Sequence, residues 1–225
     1  MLLHCLGERV ARSERVSTTE RAVRHDVTAV STAAGVFASP DAVLTNSSGA
    51  YGVTIAEHIV MCALEMLRRQ MDYSAIVRRR EWKRDLPVRS IKGSRVILLG
   101  TGDIGREAAI RLRAFGPASL VGVNRGGGNP QGLFDRIVLQ DALDSVLPET
   151  DILVISLPGT PETFHMLGAR RLVLLPDQAL VINVGRGSVI DQKALEKELR
   201  AGRLCVRQME GSGKVPNSGR EQSCL

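Results

Sequence analysis

Aromatic residues are scarce in this chain. Its 225 residues include only four Phe, two Tyr and one Trp, which together make up 3% of it. The core must therefore consist mainly of Val, Leu, Ile and Ala, which favours a parallel sheet covered by helices. Long hydrophobic runs are also missing: none reaches the roughly 18 residues that cross a bilayer, and residues 1–6 are too few for a signal-peptide core. We therefore expect a cytoplasmic protein with no membrane partner.

Cysteine is scarce as well. The four residues Cys5, Cys62, Cys205 and Cys224 show neither metal-ligand nor redox spacing, so we interpret them as free thiols and predict no metal site. The net charge is +6, and much of it lies between residues 68 and 84. Since aromatic residues for base stacking are few and no nucleic-acid motif occurs, this segment favours a solvated helix face over a nucleic-acid partner.

One stretch carries the clearest signal. An apolar run over residues 95–99 is followed by a G-x-G-x-x-G pattern over residues 100–105, and a helical pattern begins at once. The first glycine allows a tight turn, the second lets the backbone approach phosphates, and the third lets the helix pack close to the strand. The N–H groups that begin the helix then face an anion. The sequence therefore predicts dinucleotide binding by Gly100, Gly102, Asp103, Ile104 and Gly105.

From residue 94 onward, strand and helix patterns alternate at the spacing of βα units. This alternation predicts an α/β fold with a doubly wound parallel sheet of the Rossmann type. The chain after Val206 shows no apolar period, so we predict a disordered tail over residues 206–225. Strands are expected at 27–36, 42–46, 95–99, 119–123, 137–139, 151–157 and 179–183. Helices are expected at 54–70, 72–82, 103–115, 141–147, 162–175 and 191–201.

The end of the second nucleotide-binding strand bears on the choice of cofactor. An acidic residue at this place would bind the ribose 2′-hydroxyl of NAD. Asn124 and Arg125 stand there instead. The repulsion against a 2′-phosphate is then absent, and Arg125 has the charge to pair with one. We therefore expect NAD(P) with a preference for NADP, the alternative being that Arg125 is simply a loop cation.

Six motifs resemble those of the D-isomer-specific 2-hydroxyacid dehydrogenases, and their order matches from about residue 27 to residue 205. The resemblance lies closest to the phosphoglycerate dehydrogenase and glyoxylate/hydroxypyruvate reductase branches. It implies reversible hydride transfer between NAD(P)H and a 2-keto acid, and a homodimer that buries the long apolar helix starting at Thr54. The six motifs are residues 46–49, 55–58, 100–106, 114–116, 157–163 and 182–191.

The resemblance also implies site residues. Arg186 matches the family's catalytic arginine, which binds the substrate carboxylate and polarises the carbonyl, and arginine suits a bidentate grip on a carboxylate. Ala34 and Gly35 resemble a loop whose backbone holds the same carboxylate. Residues expected near the cofactor are Leu157, Pro158, Thr163, Val184 and Gly185.

The sequence departs from the family after residue 202. The family's catalytic histidine stands in a Pro-His pair, and none of the four histidines here does. We interpret the chain as truncated, with a substrate-domain remnant at 1–45, an NAD(P)-binding domain at 46–205 and a divergent tail at 206–225. Two hypotheses remain open: an oxidoreductase whose activity is impaired, with His165 as a weak candidate for a substitute acid, or a non-catalytic NAD(P)-binding module of the corepressor type.

Overall fold

The computed structural model describes residues 49–208 and two short strands before them. The chain divides into two units, residues 1–51 and 52–225. In the first unit, β1 (Ala22–His25) pairs in parallel with β2 (Val43–Asn46). The strand expected at 42–46 is therefore confirmed, while the strand expected at 27–36, with Ala34 and Gly35, lies outside the described residues.

The second unit contains a six-stranded sheet in which every neighbouring pair is parallel. The strand order is β5-β4-β3-β6-β7-β8, which is the order of a doubly wound dinucleotide-binding fold. The predicted fold class is therefore confirmed. The strands are β3 (Arg95–Leu99), β4 (Ser119–Asn124), β5 (Arg136–Leu139), β6 (Ile152–Ile155), β7 (Ala179–Asn183) and β8 (Leu204–Gln208).

Both faces of this sheet are buried, which explains its continuous aliphatic strands. Alternate residues of β3 point to opposite faces: Val96 and Leu98 belong to one hydrophobic cluster, Ile97 and Leu99 to the other. The first cluster includes apolar residues of α1 (Gly52–Leu67) and α3 (Asp103–Arg113). The second includes residues of α4 (Ala169–Leu174) and α5 (Gln192–Arg200). The sheet thus has a helical layer on each side.

The expected helix at 54–70 is displaced, because α1 covers Gly52–Leu67 and α2 (Gln70–Arg78) follows directly. Arg69 separates them with a φ of 53°, which ends the first helix. Its guanidinium Nε donates to the Asp72 carboxylate at 2.7 Å, which holds the start of α2. The second helix ends at Arg78, four residues before the expected limit of 82.

Two other expected helices are wrong in kind or length. The segment at 141–147 forms 3-10 turns at Gln140–Ser145 and Leu147–Glu149, the second containing a proline that lacks an N–H. The segment at 162–175 is helical only in α4. His165 has a φ of 49°, and the Thr163 hydroxyl donates to the carbonyl of Pro158 at 2.6 Å, so residues 161–166 close into turns.

The last described strand corrects the predicted tail. β8 pairs with the whole of β7, from Leu204 opposite Ala179 to Gln208 opposite Asn183. Cys205 and Val206 are buried there, so the sheet continues past the expected boundary at residue 205. Cys62 is a buried free thiol as predicted, but Cys205 is disulfide-bonded, which contradicts its interpretation as a free thiol.

An ion pair joins the starting ends of β3 and β6. The Asp151 carboxylate accepts the backbone N–H of Arg95 at 2.7 Å and its guanidinium N–H groups at 2.9 and 3.1 Å. The guanidinium hydrogen bond is the largest cause of the lowered pKa of Asp151, and the backbone N–H lowers this pKa further. The charged form of Asp151 is therefore stabilised by folding.

We predict that Asp151→Asn lowers the free energy of unfolding by about 1 kcal/mol at neutral pH, since the pair is partly solvent-screened. A depressed folded-state pKa stabilises the fold above the unfolded value of about 3.9, and this stabilisation disappears as the pH falls through the folded value. Urea unfolding from pH 7 to pH 3 measures both effects. The exposed Asp141→Asn serves as the control, and a difference between wild type and Asp151→Asn that does not change with pH would contradict the assignment.

Candidate functional site

The predicted site residues of the second unit converge at one edge of the sheet. The strands are parallel, so the loops that follow β3, β4, β6 and β7 all leave from the carboxyl edge. The strands β4 and β5 lie on one side of β3, and β6, β7 and β8 lie on its other side. The strand order therefore reverses between the neighbours β3 and β6, and such a reversal opens a crevice in doubly wound sheets. The glycine turn after β3 lies at this crevice.

The glycine turn is shaped by backbone contact. Gly100 has a φ of 108°, a conformation that favours glycine, and it leads the chain sharply out of β3. A Cβ on Gly105 would overlap the carbonyl oxygen of Gly100, so the first turn of α3 lies directly against the strand end. A Cβ on Gly102 would meet nothing within 4 Å. Gly100 and Gly105 are therefore needed for close packing, whereas Gly102 borders open space.

The start of α3 is left open to an anion. Its N-cap residue is Gly102, which has no side chain to cap the first N–H groups. The Asp103 carboxylate turns toward the first turn of α1, where a Cβ on Gly52 would lie 2.8 Å from its Cγ. Arg106 also pairs with Asp103, at 3.4 Å. Ile104 packs against the hydrophobic cluster below.

Asn124 at the end of β4 holds its own loop to the glycine turn. Its Nδ2 donates to the Thr101 hydroxyl at 2.8 Å and to the carbonyl of Gly128 at 2.9 Å, and its Oδ1 accepts the N–H of Gly127 at 2.7 Å. The next residue, Arg125, is exposed. The amide of Asn124 therefore organises the loop, and the guanidinium is the charged group that this loop presents.

The loop after β6 is closed by Thr163. This residue is only 5% exposed, and its hydroxyl bonds to the Pro158 carbonyl and accepts the N–H of Thr160 at 2.9 Å. Leu157 and Pro158 are partly buried at the strand end. Thr163 thus faces the backbone of its own loop and fixes the path of the chain at Leu157 and Pro158.

The glutamate of this loop brings a negative charge near Arg125. The pKa of Glu162 is lowered, chiefly by a hydrogen bond with the Thr160 side chain and further by the positive charge of Arg125. The positive charge in the loop after β4 therefore acts on the carboxylate in the loop after β6. Glu162 was not predicted from the sequence, because no local pattern links it to a residue 37 positions earlier.

The turn after β7 carries Arg186. Val184 and Gly185 donate their N–H groups to the carbonyl of Ile155 at 2.9 and 3.1 Å, which ties the turn to β6. A Cβ on Gly185 would overlap the carbonyl oxygen of Leu157. Arg186 follows at the carboxyl edge and is partly exposed. The structure therefore brings Leu157, Val184, Gly185 and Arg186 together.

Two residues of this region were missed from the sequence. Asn183 is fully buried, and its side chain is hydrogen-bonded to the N–H of Gly185 and to the carbonyl of Arg186. Gly159 lies against the side chain of Arg186. Both lie within the motifs at 157–163 and 182–191, and for Asn183 a further signal was a polar residue that ends an otherwise aliphatic strand.

His165, the candidate substitute acid, lies in the loop after β6. Its N–H donates to the carbonyl of Ser188 at 2.8 Å, and its ring stacks on Phe164 with 3.9 Å between centroids. Leu167 forms a parallel bridge with Ile190, so the loops after β6 and β7 are joined backbone to backbone. His165 is exposed and serves structurally as part of this junction.

Two further kinds of feature are absent from the residues that the structure describes. No group of three or more His, Cys, Asp or Glu side chains among them is arranged to hold a metal ion. None of their helices has the length and apolar content that crossing a membrane requires.

The strand order, the glycine turn at the reversal point and the uncapped helix start define a dinucleotide-binding α/β domain. Comparison with known proteins identifies the family. Residues 60–207 match the profile of the D-isomer specific 2-hydroxyacid dehydrogenase, NAD binding domain. The chain therefore belongs to this family, whose members are NAD-dependent oxidoreductases acting on CH–OH donors.

Individual relatives and a solved structure are similar to this chain in line with the family match. Glycerate dehydrogenase of Methylorubrum extorquens is 30% identical over 67% of this chain and 47% of its own length. Glyoxylate reductase of Thermococcus gammatolerans is 31% identical over 73% of this chain and 48% of its own. A D-isomer specific 2-hydroxyacid dehydrogenase family protein of Aeromonas salmonicida superimposes with a TM-score of 0.71 at 31% identity, over 80% of this chain and 58% of that one. The chain thus spans about half the length of the curated relatives it matches.

The second and third glycines of the turn, Gly102 and Gly105, should respond differently to substitution by alanine. Gly105→Ala forces a methyl group into the Gly100 carbonyl, so we predict a loss of about 3 kcal/mol in unfolding free energy or failure to fold. Gly102→Ala has open space and should cost within about 1 kcal/mol, as an N-cap change. Denaturant unfolding of both variants measures this, and equal losses would contradict the contact geometry.

Proposed function

We propose that this chain binds NAD(P)H at the glycine turn and takes part in hydride transfer between this cofactor and a 2-keto or 2-hydroxy acid. The observation that carries the proposal is the turn itself, which leaves backbone N–H groups uncapped at the reversal point of the sheet. Family membership supports the same reaction class. Because the chain spans about half of each relative, the activity of the whole protein is part of the proposal.

The residues present fit a dinucleotide. The open space at Gly102 gives a pyrophosphate access to the backbone, and the start of α3 offers N–H groups and a positive dipole end. When bound, the nicotinamide supplies the hydride. Leu157, Pro158, Val184 and Gly185 are proposed to border it, since they lie at the carboxyl ends of β6 and β7. Thr163 contributes by fixing the loop that carries Pro158.

Arg186 is proposed as the residue that binds the substrate carboxylate and polarises its carbonyl. A guanidinium presents paired N–H donors that match a carboxylate. Its place at the carboxyl edge, one residue after Gly185, puts it beside the proposed nicotinamide site. Ala34 and Gly35, which lie outside the described residues, remain predicted carboxylate-binding residues.

The substrate class is a 2-keto or 2-hydroxy acid related to glycerate, glyoxylate or hydroxypyruvate, by analogy with the named relatives. Proton transfer by a positioned acid typically contributes about 10²–10⁴-fold to such reactions. No histidine of this chain stands in a Pro-His pair. We therefore propose weak turnover for the 225-residue chain, and its alternative role is that of a non-catalytic NAD(P)-binding module.

Cofactor binding and cofactor choice are tested together by calorimetry. We predict that the chain binds NADPH at least as tightly as NADH, because Arg125 has the charge to pair with a 2′-phosphate. Arg125→Asp should weaken NADPH binding by about tenfold or more, the free-energy equivalent of one charge-assisted contact, and so reverse the order of the two cofactors. Arg200→Asp is the matched control, since α5 ends there and leads into the opposite edge of the sheet.

Three outcomes separate the alternatives. Absence of heat with either nucleotide, on protein shown to be folded, would refute the proposed function. An unchanged preference in Arg125→Asp would leave cofactor binding intact and remove Arg125 as the selector. Reduction of hydroxypyruvate or glyoxylate at rates near the typical enzyme median of about 10 s⁻¹ would contradict the weak turnover proposed for the chain.

A homodimer is proposed through the outer face of α1. A groove of about 470 Å³ there is lined by Val60, Met61 and Leu64, with Glu57 and Arg68 near its ends. Residues 57 and 68 lie equally far from the helix point between residues 62 and 63. A second α1 running antiparallel therefore places Glu57 opposite Arg68 and Met61 opposite Leu64, which makes the face self-complementary. We further propose that this dimer is cytoplasmic.

Leu64→Glu should dissociate this dimer, because it buries a carboxylate in the apolar centre of the face. Light scattering after gel filtration should give twice the mass of one chain for wild type and a single-chain mass for the variant. Val173→Glu, at a 57% exposed position on α4, is the matched control and should remain dimeric. A wild-type protein that is monomeric at high concentration would refute the dimer.

A further inference from the structure

The fully buried side chain of Asn183 holds the backbone on both sides of Gly185. Its Oδ1 accepts the Gly185 N–H at 3.0 Å, and its Nδ2 donates to the carbonyl of Arg186 at 3.2 Å. The first bond fixes the turn before Arg186, and the second fixes the carbonyl of Arg186 itself. Burying a side-chain amide destabilises the fold unless the amide is hydrogen-bonded. Here the bonding groups are those of the turn, so the amide determines how the chain passes Arg186.

The stem of Arg186 is confined from another direction. A Cβ on Gly159 would lie 3.1 Å from Cγ of Arg186 and 3.3 Å from its Cβ, as well as 3.3 Å from Oγ of Ser188. Any side chain at residue 159 would therefore press on the arginine stem. The backbone of Gly159 does not have a positive φ. The absence of a Cβ there is consequently a matter of space for Arg186 rather than of backbone conformation.

The loops that carry Gly159 and Arg186 are joined by close packing and by backbone hydrogen bonds. Gly185 lies so close to the Leu157 carbonyl that no Cβ fits between them. Farther along, the loops after β6 and β7 are joined by the N–H of His165 to Ser188 and by the N–H of Leu167 to Val189 at 3.0 Å. These contacts fix the two loops relative to each other, and Arg186 lies in the second of them.

We propose that Asn183 and Gly159 are positioning residues that set the direction of the Arg186 guanidinium, Asn183 through the backbone and Gly159 through the space it leaves for the stem. The functional part of this inference rests on the proposed role of Arg186 as the carboxylate-binding group. The positioning itself is a property of the described chain and can be measured without any ligand.

The first experiment records the Nε–H signal of Arg186 by NMR in the 225-residue protein, identified by its loss in Arg186→Lys. Gly159→Ala should shift this signal, because the added methyl group displaces the stem. Asn183→Ala should lower its heteronuclear NOE, because the backbone of the turn gains freedom. Gly168→Ala is the matched control: it lies in the same loop, and its Cβ would meet only the His165 carbonyl, at 3.4 Å.

The second experiment titrates oxalate, a dicarboxylate probe, into each variant saturated with NADH. Arg186→Lys should abolish measurable binding, and Gly159→Ala and Asn183→Ala should weaken it by about 10-fold to 100-fold, the scale of a misplacement near 1 Å. The NADH dissociation constant should stay unchanged in Arg186→Lys and Gly159→Ala, which a general loss of structure would not allow. Gly168→Ala should bind oxalate as wild type does.

The outcomes distinguish the two proposals. An Arg186 signal that is unaltered in both Gly159→Ala and Asn183→Ala overturns the positioning role, whatever the ligand results. If Asn183→Ala does not fold, an unaltered signal in Gly159→Ala alone overturns it. An altered signal together with oxalate binding that ignores Arg186→Lys overturns the proposed function and leaves the positioning role standing.

Discussion

Backbone-to-backbone contact at the carboxyl edge of the sheet is the constraint on which the rest of the site depends. It occurs twice, where Gly105 meets the carbonyl of Gly100 and where Gly185 meets the carbonyl of Leu157. The first contact draws α3 against β3, and the second draws the turn after β7 against β6. Neither contact tolerates a Cβ. The crevice between β3 and β6 is therefore bordered on both sides by close main-chain packing.

This framing divides the polar residues into two groups. Asn124, Thr163 and Asn183 turn their side chains toward nearby backbone and hold the loops in place. The guanidinium groups of Arg125 and Arg186 are left at the edge as the long cationic side chains of the loops after β4 and β7. A buried amide or hydroxyl must be satisfied, whereas a long cation keeps its charged end near water. The same physical rule thus explains why the first group holds the loops and why the charged ends of the second group lie at the edge.

The sequence predicted the regular part of this architecture well. The strands at 95–99 and 179–183 matched to the residue, because buried parallel strands are continuous aliphatic runs with glycine turns at their ends. The helix expected at 162–175 was wrong because hydrogen bonds of the Thr163 side chain compete with helix formation. β8 was missed because its pairing with β7 is tertiary, although Gly202 precedes it as a turn signal. Asn183 and Gly159 escaped for the same reason, since their importance lies in what they touch.

The arrangement around Arg186 bears on the choice between an enzyme and a binding module. Dinucleotide binding alone needs the turn at Gly100–Gly105 and the packing of Gly185, and it places no demand on the direction of the Arg186 side chain. Yet this chain spends a fully buried amide on the Arg186 carbonyl and leaves residue 159 without a Cβ beside the arginine stem. Fixing the direction of a cation is useful where a carboxylate must be held in one orientation beside a hydride donor. The geometry therefore favours descent from, or membership in, a catalytic protein.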